Sequence, residues 1–154
     1  ENAFADLQKS ADTIPYFSAL ILDLDNFKAI NDTYGHLGGD VILCDFAGVA
    51  QSLLSEKRFL GRLGGDEFVI ILPAARDEAA ALAEELRRRI DERVVPYLEH
   101  TIRYTDSIGI ASCKNEECVL SELRHQADRA LYEAKHQGKN AVRGNEGLGN
   151  LFEP

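Results

Sequence analysis

Two pairs of acidic residues in this sequence could bind a cation together. Asp23 and Asp25 lie two positions apart at the end of an apolar stretch of strand length, so both side chains are expected on one face. Asp66 and Glu67 follow two glycines within the stretch GRLGGDEFVIILP. Carboxylates held at a tight turn repel each other, and a hard cation such as Mg²⁺ would offset that repulsion. We therefore predict a metal site if the two stretches are neighbours. The alternative is that each pair consists of solvated acids, at a strand end and at a turn.

The hydrophobic pattern indicates which elements would position these acids. Apolar residues at helical spacing predict helices, and unbroken or alternating apolar runs predict strands. The predicted helices span 41–54, 76–94 and 119–138, and the predicted strands span 17–25, 58–63, 67–73 and 101–112. The second and third of these strands would form a hairpin around Gly64 and Gly65. A helical lead-in at 1–16 and a loose, Gly-rich tail at 144–154 complete a single domain over 1–154.

Composition and charge favour one globular domain and disfavour some classes of function. The chain has 154 residues, of which 45% are hydrophobic, enough for one core. A net charge of −9 disfavours binding to a nucleic-acid backbone, so a phosphate ligand is expected to arrive with its own metal. No apolar run approaches the roughly 18 residues of a membrane span, and no signal peptide is recognisable.

The cysteines and the first residue bear on the setting of the domain. Cys44, Cys113 and Cys118 have no zinc-site spacing, so unpaired thiols in a reducing compartment are favoured, although the last two could pair. The chain contains no Met and begins with Glu1, which favours a fragment of a longer protein.

Four sequence blocks resemble a known family. They are DLDNFKAINDTYGHLGGD, RLGGDEF, SIGIA and ADRALYEAKHQGKNAVR. In this order and at this spacing they resemble the signature blocks of the GGDEF family of diguanylate cyclases, from about residue 17 to residue 143. The family's amino-terminal LTGLxNR stretch is absent. The resemblance implies an α+β fold like the palm of nucleotidyl cyclases and polymerases, with a ferredoxin-like core and a mixed, mainly antiparallel five-stranded sheet packed by helices.

The resemblance also implies a set of metal ligands. Asp23, the main-chain oxygen of Leu24, and Asp66 match the family's ligands for Mg²⁺ or Mn²⁺. Glu67 matches a position that either binds a second metal ion or acts as the general base, and which of Asp66 and Glu67 takes the proton stays open. Lys28 matches a lysine that stabilises charge on the phosphates. Two divalent ions at such a site would bridge a triphosphate and activate a 3′-hydroxyl.

Further positions match the family's substrate contacts. Asn31 and Asp40 match the pair that reads guanine, since a carboxylate can accept hydrogen bonds from guanine N1–H and its amine but would face a lone pair on adenine. His36 either lines the base pocket or packs its own loop. The remaining matches concern the phosphates: the two glycines let the backbone approach them, and two lysines one helical turn apart contact them. These residues are Gly64, Gly65, Lys135 and Lys139.

The implied function is synthesis of cyclic di-GMP from two GTP molecules, with release of two pyrophosphates. Each domain would hold one GTP, so the reaction requires a transient homodimer through the active-site face. A cytoplasmic domain is expected, with an upstream sensor domain and no contact with nucleic acid or membrane, whether or not the longer protein is anchored in a membrane. Two alternatives stay open: a catalytically silent, GTP-binding regulatory domain, and a promiscuous enzyme that makes cyclic GMP-AMP.

A feedback motif of the family is missing. Many members have RxxD, with the Arg nine residues and the Asp six residues before the first Gly of GGDEF. Counting back from Gly64 gives Ser55 and Arg58. A Ser cannot grip a phosphate and stack on a guanine as an Arg does, so we expect no product-inhibition site here.

Overall fold

A computed structural model describes residues 15–54 and 58–144 of the chain. In chain order the elements are β1 (Tyr16–Leu24), α1 (Phe27–Ser52), β2 (Phe59–Gly64), β3 (Glu67–Leu72), α2 (Arg76–Asp91), β4 (Val95–Tyr97), β5 (His100–Ile102), β6 (Asp106–Lys114), α3 (Leu120–His136) and β7 (Val142–Arg143). A short 3₁₀ turn, Asn115–Glu117, precedes α3. The predicted lead-in and tail lie outside the described residues except at their inner ends, where Tyr16 already belongs to β1.

The main sheet has five strands in the order β2-β3-β1-β6-β7. Its first four strands pair antiparallel, and β7 joins β6 in parallel. β1 lies at the centre, as its unbroken apolar run predicts, because side chains on both of its faces must be buried. The predicted α+β fold with a mixed five-stranded sheet is confirmed.

The predicted strand over 101–112 is wrong, because this stretch forms two strands in different sheets. β5 pairs with β4 in a separate two-stranded sheet, and β6 enters the main sheet. The residues between them bind elsewhere: the Tyr104 hydroxyl donates to Asp45 of α1 at 2.7 Å, and the Thr105 carbonyl accepts the Asp25 N–H at 2.9 Å. These contacts hold the segment away from both sheets, so the alternating apolar pattern does not form one continuous strand.

The two faces of the sheet are covered by different helices. Leu20, Leu22 and Leu24 of β1 belong to the core under α1 and α2. Phe17, Ala19 and Ile21 belong to the smaller core under α3. Because side chains alternate along a strand, Asp23 lies on the α3 side. α3 packs directly on β6, where a Cβ on Gly109 would overlap the Ala127 carbonyl oxygen.

α1 begins 14 residues before the predicted helix at 41–54 and contains a break. Gly35 has φ 81° and ψ 170°, which interrupts the helical backbone and needs a glycine. The polar stretch before this break hides the helix from a search for apolar periodicity, since Ile30 is the only buried residue within it. The break therefore divides α1 into two helical segments that meet at an angle.

Two cysteines are paired. Cys113 and Cys118 form a disulfide, because the 3₁₀ turn after β6 brings their Cα atoms to 5.4 Å. The prediction of unpaired thiols is wrong for these two, whereas Cys44 is free and exposed. Within the described ranges, no helix combines the length and the apolar character needed to cross a bilayer.

Candidate functional site

The two acidic stretches meet at one end of the main sheet. The antiparallel pairing of β1 with β3 places Asp23 opposite Glu67. Just beyond this pair, the Leu24 N–H donates to the Asp66 carbonyl oxygen at 3.2 Å. The tight hairpin between β2 and β3 therefore brings its acids to the carboxyl end of β1, which is the condition under which the sequence predicts a shared metal site.

Asp23 and Asp66 form the electrostatic centre of the site. Burial raises the pKa of Asp23 to about 7, with the neighbouring Asp66 carboxyl acting in the same direction and Lys135 opposing it. The Asp23 Oδ1 atom is buried and has no hydrogen-bond partner among the described residues. A buried, unsatisfied carboxylate oxygen beside a second carboxylate is costly unless a cation neutralises it. The donor set therefore fits a hard divalent cation.

Glu67 lies beside this pair, on the same α3 side of the sheet as its strand partner Asp23. Burial raises its pKa, followed by the charge of Asp128, while Arg124 opposes the rise. No group of three or more His, Cys, Asp or Glu side chains is arranged to hold one metal ion in the part of the chain that the structure describes. The structure thus brings together Asp23, Asp66 and the Leu24 carbonyl, and leaves Glu67 adjacent to them.

Asp25 points into the protein rather than towards a shared cation with Asp23. Its carboxylate accepts hydrogen bonds from Thr105 Oγ1 and Ser107 Oγ, both at 2.7 Å, and from Lys135 Nζ and the Asn140 N–H, both at 2.9 Å. Burial acts to raise the pKa of Asp25, but these bonds outweigh it and hold the pKa below its ordinary value. Asp25 lies past the end of β1 but on the same side as Asp23, because Lys135 contacts both carboxylates and Ser107, the strand partner of Asp23, donates to Asp25. Its oxygens are already saturated by these donors, so Asp25 is not free to bind a cation with Asp23.

Both predicted phosphate-binding lysines reach the turn between β1 and α1. Lys135 Nζ lies 2.9 Å from Asp25 Oδ1, 3.4 Å from the Leu24 carbonyl and 3.7 Å from Asp23 Oδ2. Lys139 Nζ donates to Asn26 Oδ1 at 2.8 Å. The prediction that the lysines lie one helical turn apart is wrong, because α3 ends at His136 and Lys139 has a left-handed φ of 61°.

The predicted guanine-reading residues lie on either side of the break in α1. A Cβ on Gly39 would overlap Asn31 Oδ1, so the Asn31 amide lies against the backbone next to Asp40. Asp40 and His36 are exposed. Across the break at Gly35, the Asn31 side chain therefore reaches the backbone at Gly39, the residue next to Asp40.

The glycines of the hairpin leave open space. Gly64 has φ 143° and Gly65 has φ 52°, values that disfavour any side chain. A Cβ at either position would meet no atom of the described residues within 4 Å. Lys28 is exposed in the first turn of α1. A large polar ligand could therefore approach the hairpin backbone.

Sequence reasoning missed the residues that anchor Asp25. Thr105, Ser107 and Asn140 hold its carboxylate from positions 80, 82 and 115 residues away. No local pattern marks such partners, because hydroxyl and amide side chains are common in loops and at strand ends.

Sequence reasoning also missed a cavity of about 380 Å³ beside the turn between β1 and α1. None of the predicted substrate-binding residues lines this cavity. The cavity is lined by Asp25, Asn26, Ala29, Ile30, Thr33, Tyr34, Asp91, Arg103, Tyr104 and Thr105.

Comparison with known proteins identifies similar sequences. The family described as "Diguanylate cyclase, GGDEF domain" matches residues 2–141. A diguanylate cyclase of Vibrio cholerae serotype O1 is 39% identical over 124 residues, which cover 80% of this chain and 38% of that protein. The chain thus spans less than half the length of this curated relative.

Solved structures show the same fold. The GGDEF domain of YfiN (also called TpbB) from Pseudomonas aeruginosa superposes with a TM-score of 0.84 at 29% identity, covering 92% of this chain and 90% of that chain. The active GGEEF domain of a diguanylate cyclase from Vibrio cholerae superposes with a TM-score of 0.79 at 34% identity, covering 92% and 88% respectively. Both likenesses extend over nearly all of the chain.

Proposed function

This chain belongs to the GGDEF domain family, and from that premise we propose that it is the catalytic domain of a diguanylate cyclase. It condenses two GTP molecules into cyclic di-GMP and releases two pyrophosphates. The observation that carries the proposal is the pair of neighbouring carboxyl groups of Asp23 and Asp66. Within this pair, Asp23 Oδ1 is buried and has no hydrogen-bond partner among the described residues. Curated relatives at about 40% identity are named diguanylate cyclases, which supports the same reaction.

Asp23, Asp66 and the Leu24 carbonyl are the proposed ligands of Mg²⁺ or Mn²⁺. When bound, the metal neutralises charge on the triphosphate and makes the 3′-hydroxyl easier to deprotonate. Glu67 is either a ligand of a second ion or the base that accepts the hydroxyl proton. Its raised pKa supports the second role, because a carboxylate of higher pKa accepts a proton more readily.

The lysines and glycines bind the triphosphate in this proposal. Lys28 of α1, Lys135 of α3 and Lys139, which follows α3, supply positive charge around the β1–α1 turn. Gly64 and Gly65 allow the phosphates close to the hairpin backbone, because neither carries a Cβ and the space around them is open. Together these groups hold the α-phosphate in line for attack.

Asn31 and Asp40 select guanine in this proposal, with His36 either lining the base pocket or packing its loop. Asp40 accepts hydrogen bonds from guanine N1–H and the exocyclic amine. Adenine has a lone pair at N1 and no 2-amino group, so it leaves the carboxylate unpaired, which disfavours ATP.

Catalysis in this proposal requires two copies of the domain. Each copy positions one GTP, and each 3′-hydroxyl must attack the α-phosphate held by the other copy. The two active-site faces therefore meet in an isologous, transient homodimer. A sensor domain joined to this domain, which is part of the proposal, would control this encounter.

A turnover assay with GTP and Mg²⁺ on wild type and Asp66→Asn tests the proposal. We expect wild type to form cyclic di-GMP and Asp66→Asn to lose at least about a hundredfold in rate while keeping its circular dichroism spectrum. Asp77→Asn, an equal change of charge at an exposed position of α2, should keep wild-type activity.

Other outcomes would favour the alternatives. GTP binding without product at any enzyme concentration would replace the proposal with a silent regulatory domain. Mixed cyclic GMP-AMP formed from equal ATP and GTP, resolved by mass, would show that Asp40 does not select guanine.

A further inference from the structure

Lys135 contacts two of the groups that are proposed to bind the metal, the Leu24 carbonyl and the Asp23 carboxylate. Its Nζ lies 3.4 Å from the Leu24 carbonyl and 3.7 Å from Asp23 Oδ2. Its side chain is 20% exposed, and Asp23 is 26% exposed, so solvent screens this contact only in part. An ammonium group at this place competes with a divalent cation for the Leu24 carbonyl oxygen and for the negative charge of Asp23, because two positive charges this close together repel each other.

Asp25 holds Lys135 in this position. The Lys135–Asp25 contact, at 2.9 Å, is the shortest that the ammonium makes, and the Asp25 side chain is 1% exposed. Three other donors also hold the Asp25 carboxylate, which leaves it little freedom to move. Asp25 thus places one cation beside the acids of the metal site, and its three other donors still hold the Asp25 carboxylate if Lys135 moves away.

We infer that Lys135 is a counter-cation of the metal site. Its ammonium group neutralises the acids of the site before metal binds and moves away from them when metal binds. The inference rests on the proposed metal ligands. The freed ammonium then becomes available to the triphosphate, so nucleotide and metal favour the same position of Lys135. Metal alone should bind weakly, because it must displace the lysine without the phosphates to receive it.

Mn²⁺ binding in the absence of nucleotide tests the inference. The free Mn²⁺ signal in electron paramagnetic resonance gives the dissociation constant at about pH 8.5, above the pKa of about 7 of Asp23. Lys135→Gln removes the charge but keeps a donor for Asp25, and we expect it to bind Mn²⁺ about tenfold more tightly than wild type. Lys139→Gln is the matched control, because Lys139 is exposed and contacts Asn26 instead; its affinity should stay within about twofold of wild type.

The outcomes separate this inference from the ligand assignment. Asp23→Asn should weaken Mn²⁺ binding, alone and combined with Lys135→Gln. If Asp23→Asn weakens binding but Lys135→Gln leaves it unchanged, the counter-cation role is overturned and the ligand set stands. Equal tightening in both lysine variants would also overturn it, since only bulk charge would then matter. An unaffected Asp23→Asn would overturn both.

A second measurement needs no variant. An amine-reactive reagent should label Lys135 of wild type more slowly than Lys139, because Lys135 is more buried and bound to three oxygens. Adding Mg²⁺ without nucleotide should accelerate labelling of Lys135 and leave Lys139 unchanged, as read by peptide mass spectrometry. Labelling of Lys135 that does not respond to Mg²⁺ would contradict displacement.

Discussion

Replacing Asp106 with asparagine should remove a pH-dependent cost from the folded state. Asp106 begins β6, is fully buried, and neither of its carboxylate oxygens has a hydrogen-bond partner among the described residues. Burial and then the charge of Asp25 raise its pKa to about 7, against the opposing charge of Arg87. An asparagine has nearly the shape of the protonated acid and never carries the charge.

The size and direction of the effect follow from proton linkage. With a pKa of 3.8 in the unfolded chain and about 7 in the folded one, the acid costs the folded state roughly 4 kcal/mol once it is ionised, at about 1.4 kcal/mol per tenfold change in proton affinity. Below about pH 4 both states hold the proton and the cost is absent. As the pH rises from about 4 to 7, stability is lost, and above that range the loss is complete.

Urea unfolding of wild type and Asp106→Asn across this pH range measures the effect. The two free energies of unfolding should be similar near pH 4, and the variant should be more stable by roughly 4 kcal/mol at about pH 8. Other titrating groups, such as Asp23, are present in both proteins, so they largely cancel in the difference. The exposed control Asp77→Asn should give a flat difference. A constant difference for Asp106→Asn between about pH 5 and pH 8 would refute the reasoning.

Four further predictions concern the site. Asp23→Asn should abolish turnover yet leave the metal-free melting temperature unchanged or slightly raised, because it relieves carboxylate repulsion; an unfolded variant would indicate a structural role. Gly39→Ala should raise the KM for GTP about tenfold, because the added methyl group displaces the Asn31 amide. Its control is Gly48→Ala, in open space on the same helix, which should leave KM unchanged and stabilise the helix by about 0.5–1 kcal/mol. Equal KM values in the two variants would contradict the placement of Asn31. Specific activity should rise with enzyme concentration, and a rate linear in enzyme over a wide range would argue against a transient homodimer. Calorimetric titration of an active-site-blocked variant should show weak binding of cyclic di-GMP, since Arg58 already pairs with a glutamate of α2; submicromolar binding near Arg58 would contradict this.

The sequence by itself determined the central strand and the hairpin that carries the second pair of acids. The unbroken apolar run of β1 requires cover on both faces, which places it at the centre of a sheet. Two glycines between two strand-like runs require a tight hairpin, and that hairpin carries Asp66 and Glu67. Both features depend on neighbours within a few positions, so they are visible before any tertiary contact is known. The family resemblance rests on the same local blocks and is confirmed.

Tertiary structure alone decided how the individual acids and lysines are used. Asp23 and Asp25 look equivalent in the sequence, yet one keeps an unsatisfied oxygen beside Asp66 and the other is saturated by donors 80 to 115 positions away. Lys139 leaves the helical pattern because α3 ends before it, and its ammonium then reaches the β1–α1 turn. The charge state of a carboxylate depends on its burial and on the donors around it. Those donors come from the start of β6 and the segment before it, from α3 and from the turn before β7, which only the folded chain brings to the end of β1.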